Sequence, residues 1–274
     1  MSVEVTGTAQ ERSWHGDALP PVERVRPGLW SIPVPIPRNP LRYVNVYVFE
    51  MHDGVALVDT GWSTDDAWQA LHDGLHIAGF DIGDVRLALI THIHPDHYGL
   101  AGRVREASGA KVALHPADAA LIPKRYGADI DSLIREMREL LSRCGVPPEV
   151  CDELTGASMG IREFVAAAEP DVLLHDGARL EVSGWDVRVL HTPGHSPGHV
   201  CFHLPEQRVL ISGDHVLPRI SPNIAVHAQQ TGNPLAQFLE SLQRVGNLDL
   251  DEILPAHEWR FRGLRERVDE LCRH

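Results

Sequence analysis

Thr91–His97, with the sequence THIHPDH, follows the apolar run LALI at residues 87–90 and places three imidazoles and one carboxylate within six consecutive residues. The apolar run predicts a β-strand that ends at this motif. Alternate side chains on a strand point the same way, so the first two histidines can share one metal ion. The proline turn then directs Asp96 and His97 to a neighbouring point, where a second ion can bind. Imidazole and carboxylate ligands suit zinc, iron and manganese, so the motif predicts a metal site.

The same motif resembles the HxHxDH signature of the metallo-β-lactamase superfamily. Three later segments resemble the metal-binding loops of that family, and each stands after a short apolar run: HTPGHSPGH at 191–199, ISGD at 211–214 and LPAHE at 254–258. Together these matches span most of the chain, from about Trp30 to His257. The resemblance implies an α/β fold, a four-layer αββα sandwich with a metal site at one edge.

The resemblance also implies a set of metal ligands. It assigns His92, His94 and His195 to a first ion, Asp96, His97 and His257 to a second, and Asp214 to a bridge between them. Two divalent cations are implied, with Zn²⁺ as the first expectation and Mn²⁺ or Fe²⁺ as alternatives. An anionic bridge is chemically reasonable because neutral ligands alone would leave two close dications to repel each other.

The residues by themselves do not decide which histidine of the HTPGHSPGH loop is the ligand. His191 and His199 stand at the two ends of the HTPGHSPGH segment, and both rival His195 as candidates. Only the family resemblance selects His195. The other two are expected at strand ends, where they would orient ligands through hydrogen bonds.

Hydrolysis is the reaction that the resemblance implies. A hydroxide bridging two ions would attack the substrate, and Asp96 would orient this nucleophile besides binding metal, which makes it the candidate catalytic residue. Tyr98 follows the motif and could donate a hydrogen bond to a leaving group, but a packed tyrosine explains it equally well, and it is left outside the catalytic set.

The presence of Asp214 resembles the glyoxalase II and lactonase branches more than true β-lactamases. The mostly uncharged segment 217–224 is expected to form a pocket wall, which favours a small ester, thioester or lactone with an anionic group near Arg219. Two alternatives stay open. One is an oxidoreductase that resembles persulfide dioxygenases, with a single iron held by two histidines and an aspartate. The other is a non-catalytic metal-binding or partner-binding protein of the same fold.

Composition sets further expectations. The chain has 274 residues with 43% hydrophobic content, enough for a single domain over 1–274. Its formal net charge of −13 disfavours nucleic acid as a partner. The polar stretch 1–21 lacks the apolar region of a signal peptide, and no apolar run has the length of a membrane span. We therefore expect a cytoplasmic protein that acts on a small molecule, without a membrane partner.

Local patterns predict the elements around the motif. Leu29–Pro35, Tyr43–Phe49 and residues 55–58 predict antiparallel strands, and the DTG turn that follows them carries Asp59 as a support for the ligands. Ser63 is the expected N-cap of a helix that runs to about Ile77.

A helical insertion is predicted over about 116–168, between the two ligand-bearing halves. Its central helix has apolar residues on one face: Ile130, Leu133, Ile134, Met137, Leu140, Leu141 and Cys144. We expect this stripe to be core. The alternatives are that the insertion covers the site, selects the substrate or supports a homodimer.

Overall fold

Two seven-stranded β-sheets pack face to face in the computed structural model, which describes residues 3–16, 18–228 and 232–274. In chain order the strands are β1 (Glu4–Val5), β2 (Glu23–Arg26), β3 (Leu29–Pro35), β4 (Tyr43–Met51), β5 (Gly54–Val58), β6 (Val85–Leu89), β7 (Lys111–Leu114), β8 (Val172–Leu173), β9 (Arg179–Val182), β10 (Trp185–His191), β11 (Val200–Leu204), β12 (Val209–Gly213), β13 (Glu252–Pro255) and β14 (Phe261–Arg262). The first sheet has the order β2-β3-β4-β5-β6-β7-β8, and the second has the order β1-β14-β13-β12-β11-β10-β9.

Helices cover the outer faces of the sheets. They are α1 (Thr8–Trp14), α2 (Asp65–Ala78), α3 (Pro95–Tyr98), α4 (Ala101–Ser108), α5 (Pro116–Ala119), α6 (Ile122–Arg125), α7 (Ile130–Arg143), α8 (Pro148–Gly160), α9 (Pro234–Val245) and α10 (Leu264–Arg273), with 3₁₀ turns at Ile82–Asp84 and Ile161–Phe164. None of the described helices is both long and apolar enough to cross a bilayer.

Three apolar layers hold the sandwich together. Between the sheets, Phe49 of β4 and Phe202 of β11 belong to one buried cluster. On the outer side of the first sheet, Leu71 of α2 packs with strand residues, and on the outer side of the second, Leu242 of α9 and Val268 of α10 do the same. The four-layer αββα sandwich expected from the sequence is confirmed.

Parallel strand pairs bring the ends of both sheets to one edge. β5, β6 and β7 run parallel in the first sheet, and β12 and β13 run parallel in the second. Only Ile90 separates β6 from the motif, Asp214 directly follows β12, and only Ala256 separates β13 from His257. Loops at the carboxyl ends of parallel strands form the usual site of α/β folds, so the topology directs these segments to a common place.

The start of α2 differs by one residue from the prediction. Its N-cap is Thr64, whose side chain accepts a hydrogen bond from the amide of Ala67 at 3.2 Å. Ser63 instead donates its backbone amide to Phe164. Ser and Thr have similar preferences for the N-cap position, so the sequence could not show which of these adjacent residues caps the helix. The hydrogen bond between Ser63 and Phe164 of the insertion leaves Thr64 as the cap. The helix ends at Ala78, close to the predicted end at about Ile77, and Gly79 caps it in a left-handed conformation.

The apolar stripe of α7 is not core, and that expectation was wrong. Leu133 is buried, but Met137, Leu140 and Leu141 are half-buried. The helix packs mainly against α6 and α8, so the stripe faces a cavity between the insertion and the metal-motif loop.

Candidate metal centre

The THIHPDH motif forms a tight turn at the end of β6. Pro95 takes the first position of the short helix α3, where its missing amide is not needed and its fixed φ favours the helical turn. His94 therefore stays extended as the N-cap, whereas Asp96 and His97 lie on the helix. This change of backbone direction divides the motif into two ligand groups.

The first group is formed by three histidines. His92 Nε2 lies 3.0 Å from His94 Nδ1 and 3.2 Å from His195 Nε2. The third histidine comes from the loop between β10 and β11, about a hundred residues further along the chain. These three ring nitrogens are close enough together to bind one ion.

The second group contains Asp96, His97 and His257. Asp96 Oδ2 lies 3.3 Å from His257 Nε2 and 3.6 Å from His97 Nε2. These atoms also lie within reach of one ion. His97 and His257 are fully buried, whereas Asp96 keeps 13% of its side chain exposed.

Asp214 lies between the two groups. Its Oδ2 is 3.4 Å from His195 Nε2, and its Oδ1 is 3.3 Å from His257 Nε2 and 3.6 Å from His97 Nε2. Each carboxylate oxygen therefore faces a different group. All seven residues named as ligands from the sequence are brought together.

Hydrogen bonds on the outer side of the cluster set the tautomers of three histidines. The Nδ1 atoms of His97, His195 and His257 lie 2.8 Å from the Asp59 carboxylate, 2.8 Å from the Asn223 carbonyl and 3.0 Å from the Tyr43 carbonyl. These oxygens only accept, so each Nδ1 carries a proton and each Nε2 is the ring nitrogen that faces inward.

The inward-facing atoms lack partners of their own. His97 Nε2, His257 Nε2 and Asp214 Oδ1 are buried and have no hydrogen-bond partner within the described part of the chain. Buried polar atoms are normally paired. A converging set of imidazole nitrogens and carboxylate oxygens in this state fits divalent cations.

The electrostatics differ between the two groups. Burial lowers the pKa of His92 and His94, and neighbouring histidines act in the same direction. Burial has the same effect on His97 and His257, but facing carboxylates outweigh it, raising the pKa of His97 well above its ordinary value and that of His257 to about 10. The carboxylate side thus favours positive charge, which a bound divalent cation would supply in place of these protons.

Asp59 and Thr91 support the motif from beneath. The Asp59 carboxylate accepts hydrogen bonds from the Thr91 amide at 2.8 Å and from His97 Nδ1 at 2.8 Å. The Thr91 hydroxyl also donates to this carboxylate and accepts from His92 Nδ1 at 3.0 Å. Asp59 therefore has the supporting position that the DTG turn predicted, and Thr91 shares it.

Asp118, on α5 in the insertion, was not identified from the sequence. Its buried carboxylate accepts hydrogen bonds from the Ile93 amide at 2.9 Å, the Ser196 hydroxyl at 2.8 Å and the Gly198 amide at 2.7 Å. Burial raises the pKa of this carboxyl, and the three donors oppose that rise. A Cβ at Gly198 would lie 2.6 Å from Asp118 atoms, so only glycine fits there. One feature could have pointed to Asp118. Because β7 runs parallel to β6, the helix α5 that follows β7 begins at the same edge of the sheet as the motif that follows β6.

The rival histidines of the HTPGHSPGH loop have other roles. His199 Nε2 accepts a hydrogen bond from the Asp214 amide at 3.1 Å, so its lone pair is already used. The ring of His191 stacks on His115 at 3.9 Å, and its Nε2 donates to a backbone carbonyl. Of the three, the structure places His195 among the clustered donors.

Two further side chains named from the sequence lie outside the cluster. The Tyr98 hydroxyl is buried and hydrogen-bonded to both backbone groups of Ala168, so it is a packed tyrosine. Arg219 Nε pairs with the buried Glu258 carboxylate at 2.9 Å, which ties the 217–224 segment to the loop after His257. The cavity between the insertion and the metal-motif loop has two other arginines in its wall, Arg125 and Arg162.

Comparisons with known proteins agree with this geometry. The family model described as Metallo-beta-lactamase superfamily matches residues 39–257. The probable metallo-hydrolase YqjP of Bacillus subtilis is 28% identical over 240 residues, covering 81% of this chain and 72% of that protein. The lactamase-like protein adaB of Aspergillus niger is 27% identical over 93% of this chain, which spans 63% of that relative's length.

A solved structure extends the similarity to three dimensions. The metallo-beta-lactamase family protein TTHA1429 from Thermus thermophilus is 37% identical, with a TM-score of 0.80 over 92% of this chain and 80% of its own. The family model covers well over half of the chain and spans every residue of the histidine and aspartate cluster. The chain belongs to the metallo-beta-lactamase superfamily.

Proposed function

We propose that this protein is a binuclear metal-dependent hydrolase of a small ester, thioester or lactone, nearer to the glyoxalase II and lactonase branches than to true β-lactamases. The observation that carries the proposal is Asp214, whose two oxygens face different donor groups. A carboxylate in this position is suited to bridge two cations. The chemistry that two such cations supply when bound is an ionised water and a polarised substrate carbonyl.

Within this proposal, Asp96 both binds metal and orients the attacking water. Its Oδ2 faces His257 and His97, while the side chain remains partly exposed on the accessible side of the cluster. A carboxylate oxygen there is available to accept the proton of the water. The fully buried histidines of the second group have no such access.

A single-iron oxidoreductase would use only part of this cluster. A site of two histidines and one aspartate would leave several inward-facing nitrogens without a partner. Buried polar atoms are rarely left unpaired, because each unpaired atom lowers the stability of the fold. His97 Nε2 and His257 Nε2 are both in this position among the described residues. This observation favours the binuclear hydrolase.

The metal content of the purified protein tests the proposal first. We expect about two zinc or manganese ions per chain by elemental mass spectrometry, together with hydrolysis in a panel of small esters, thioesters and lactones. One iron per chain with oxygen consumption would support the oxidoreductase instead. Two bound ions with no hydrolysis across the panel would support a non-catalytic metal-binding protein.

The Asp96→Asn variant separates the metal-binding role of this residue from its role in orienting the attacking water. We expect turnover to fall by about a hundredfold or more even when the variant is saturated with metal, because an amide cannot accept the proton. Metal content and kcat are measured on the same preparation. Wild-type kcat at full metal occupancy would remove the orienting role from Asp96.

A further inference from the structure

A cavity of about 470 Å³ opens beside the metal centre, a size typical of small-molecule sites. His94 and Pro95 form the end of its wall nearest the centre. The remaining described wall is formed by helices of the insertion and by residues 226–228 of the loop before α9. A molecule bound here would reach the cluster through His94.

The insertion side of the cavity is apolar. Met137, Leu140 and Leu141 of α7 are half-buried and line it. Leu154 of α8 is 44% exposed and Val226 of the facing loop is 66% exposed, and both are also in the wall. Exposed large apolar side chains that converge on one cavity are characteristic of a binding site for an apolar group.

Two arginines interrupt this apolar wall. Arg125 ends α6 and Arg162 lies in the 3₁₀ turn after α8. Arg162 Nη2 donates to the Gly127 carbonyl at 3.1 Å, whereas its Nε is buried without a hydrogen-bond partner in the described part of the chain. In a protein with a formal net charge of −13, a guanidinium group in an apolar cavity with a donor unpaired among the described residues, as at Arg162, indicates recognition of an anion.

We propose that the insertion cavity binds the hydrocarbon chain of the substrate and that Arg162 binds an anionic group on it. This rests on the proposed hydrolase function, and it narrows the substrate to an amphipathic anionic ester, thioester or lactone. The stripe on α7 is thereby a specificity surface. The insertion selects the substrate, while the seven clustered donors perform the chemistry common to the fold.

Binding of simple probes to the full-length metal-loaded protein tests this directly. Isothermal calorimetry compares octanoate, acetate and octanamide. Each buried methylene adds about fourfold in affinity, so we expect octanoate to bind at least about a hundredfold more tightly than acetate. Equal affinity for octanoate and acetate would overturn the hydrocarbon site.

A matched pair of variants locates the bound chain. Leu140→Asp introduces a charge into the cavity wall, and we expect it to weaken octanoate and octanamide binding by at least about tenfold. Val150→Asp, on α8 outside the described wall, places the same charge in the insertion and is expected to change neither. Met137→Gln provides a second cavity variant if Leu140→Asp does not fold. Identical affinities in the cavity and control variants would overturn the assignment.

Arg162→Met tests anion recognition with an internal control. A hydrogen bond to a charged group is worth about ten- to a hundredfold in affinity. We therefore expect octanoate binding to weaken by that factor, while octanamide, which is neutral and has the same chain, is unaffected. Equal weakening of both probes would mean that Arg162 only maintains the cavity, which would overturn its assigned role.

The outcomes distinguish this inference from the hydrolase proposal. Octanoate binding with the expected variant effects, but no hydrolysis of any substrate, would support the cavity and remove the hydrolase function. Hydrolysis of short substrates, without a preference of octanoate over acetate, would remove the cavity assignment alone.

Discussion

Asp214→Asn is expected to lower the metal content of the purified protein to half or less and to reduce turnover by more than about a hundredfold. Loss of a group that merely supports a ligand already costs about 10- to 100-fold in metal affinity or activity. Asp214 faces both donor groups, with one oxygen 3.4 Å from His195 and the other 3.3 Å from His257. Replacing one oxygen by an amide nitrogen removes the bridge and its negative charge.

Asp249→Asn provides the matched control for this experiment. Its side chain is 84% exposed and pairs with Arg208 at the surface, so the same isosteric change is made away from the centre. Elemental analysis and kcat are determined for both variants. Wild-type metal content in Asp214→Asn would contradict the bridging role, and unchanged turnover would contradict the binuclear mechanism.

Asp118→Ala is expected to lower the free energy of unfolding by about 3 kcal/mol and to weaken metal binding by about 10- to 100-fold. The substitution leaves the buried amides of Ile93 and Gly198 and the hydroxyl of Ser196 without their acceptor. Ile93 lies between the first two histidines of the motif, and the other two residues lie in the loop of His195. Both ligand loops should therefore loosen together.

Ser196→Ala distinguishes positioning from a general loss of stability. It removes one of the three donors and keeps the two amide contacts, so we expect a loss of about 1 kcal/mol and little change in metal affinity. Urea unfolding and competition with a chelator measure the two quantities. If Asp118→Ala binds metal like the wild type, Asp118 does not position the ligands.

Much of the fold was predictable from local pattern. Apolar strands bounded by turn residues predicted β3, β4 and β5, and the His-rich motif predicted where β6 ends. These features depend on neighbouring residues, and short-range backbone preferences are readable without knowledge of the rest of the chain. Adjacent Ser63 and Thr64 show the limit, because their capping preferences are too similar to decide between them.

The helical periodicity of the sequence also did not show what packs against the apolar face of a helix. The stripe of α7 was correctly predicted as helical and one-sided, but a buried core and a cavity wall have the same sequence pattern. Packing against α6 and α8 leaves Leu140 and Leu141 half-buried beside the metal centre. Only the arrangement of the insertion against the motif loop distinguishes these two outcomes.

The sequence alone predicted the metal-binding motif, its division into two groups of candidate ligands and, through resemblance, the later candidate donors. Tertiary structure decided that Asp214 faces both groups, that His199 supports it, and that Asp118 joins two ligand loops. The physical reason is distance along the chain. Contacts within one turn follow from local backbone geometry, whereas the orientation of a lone pair or carboxylate oxygen from a distant loop depends on how both sheets pack.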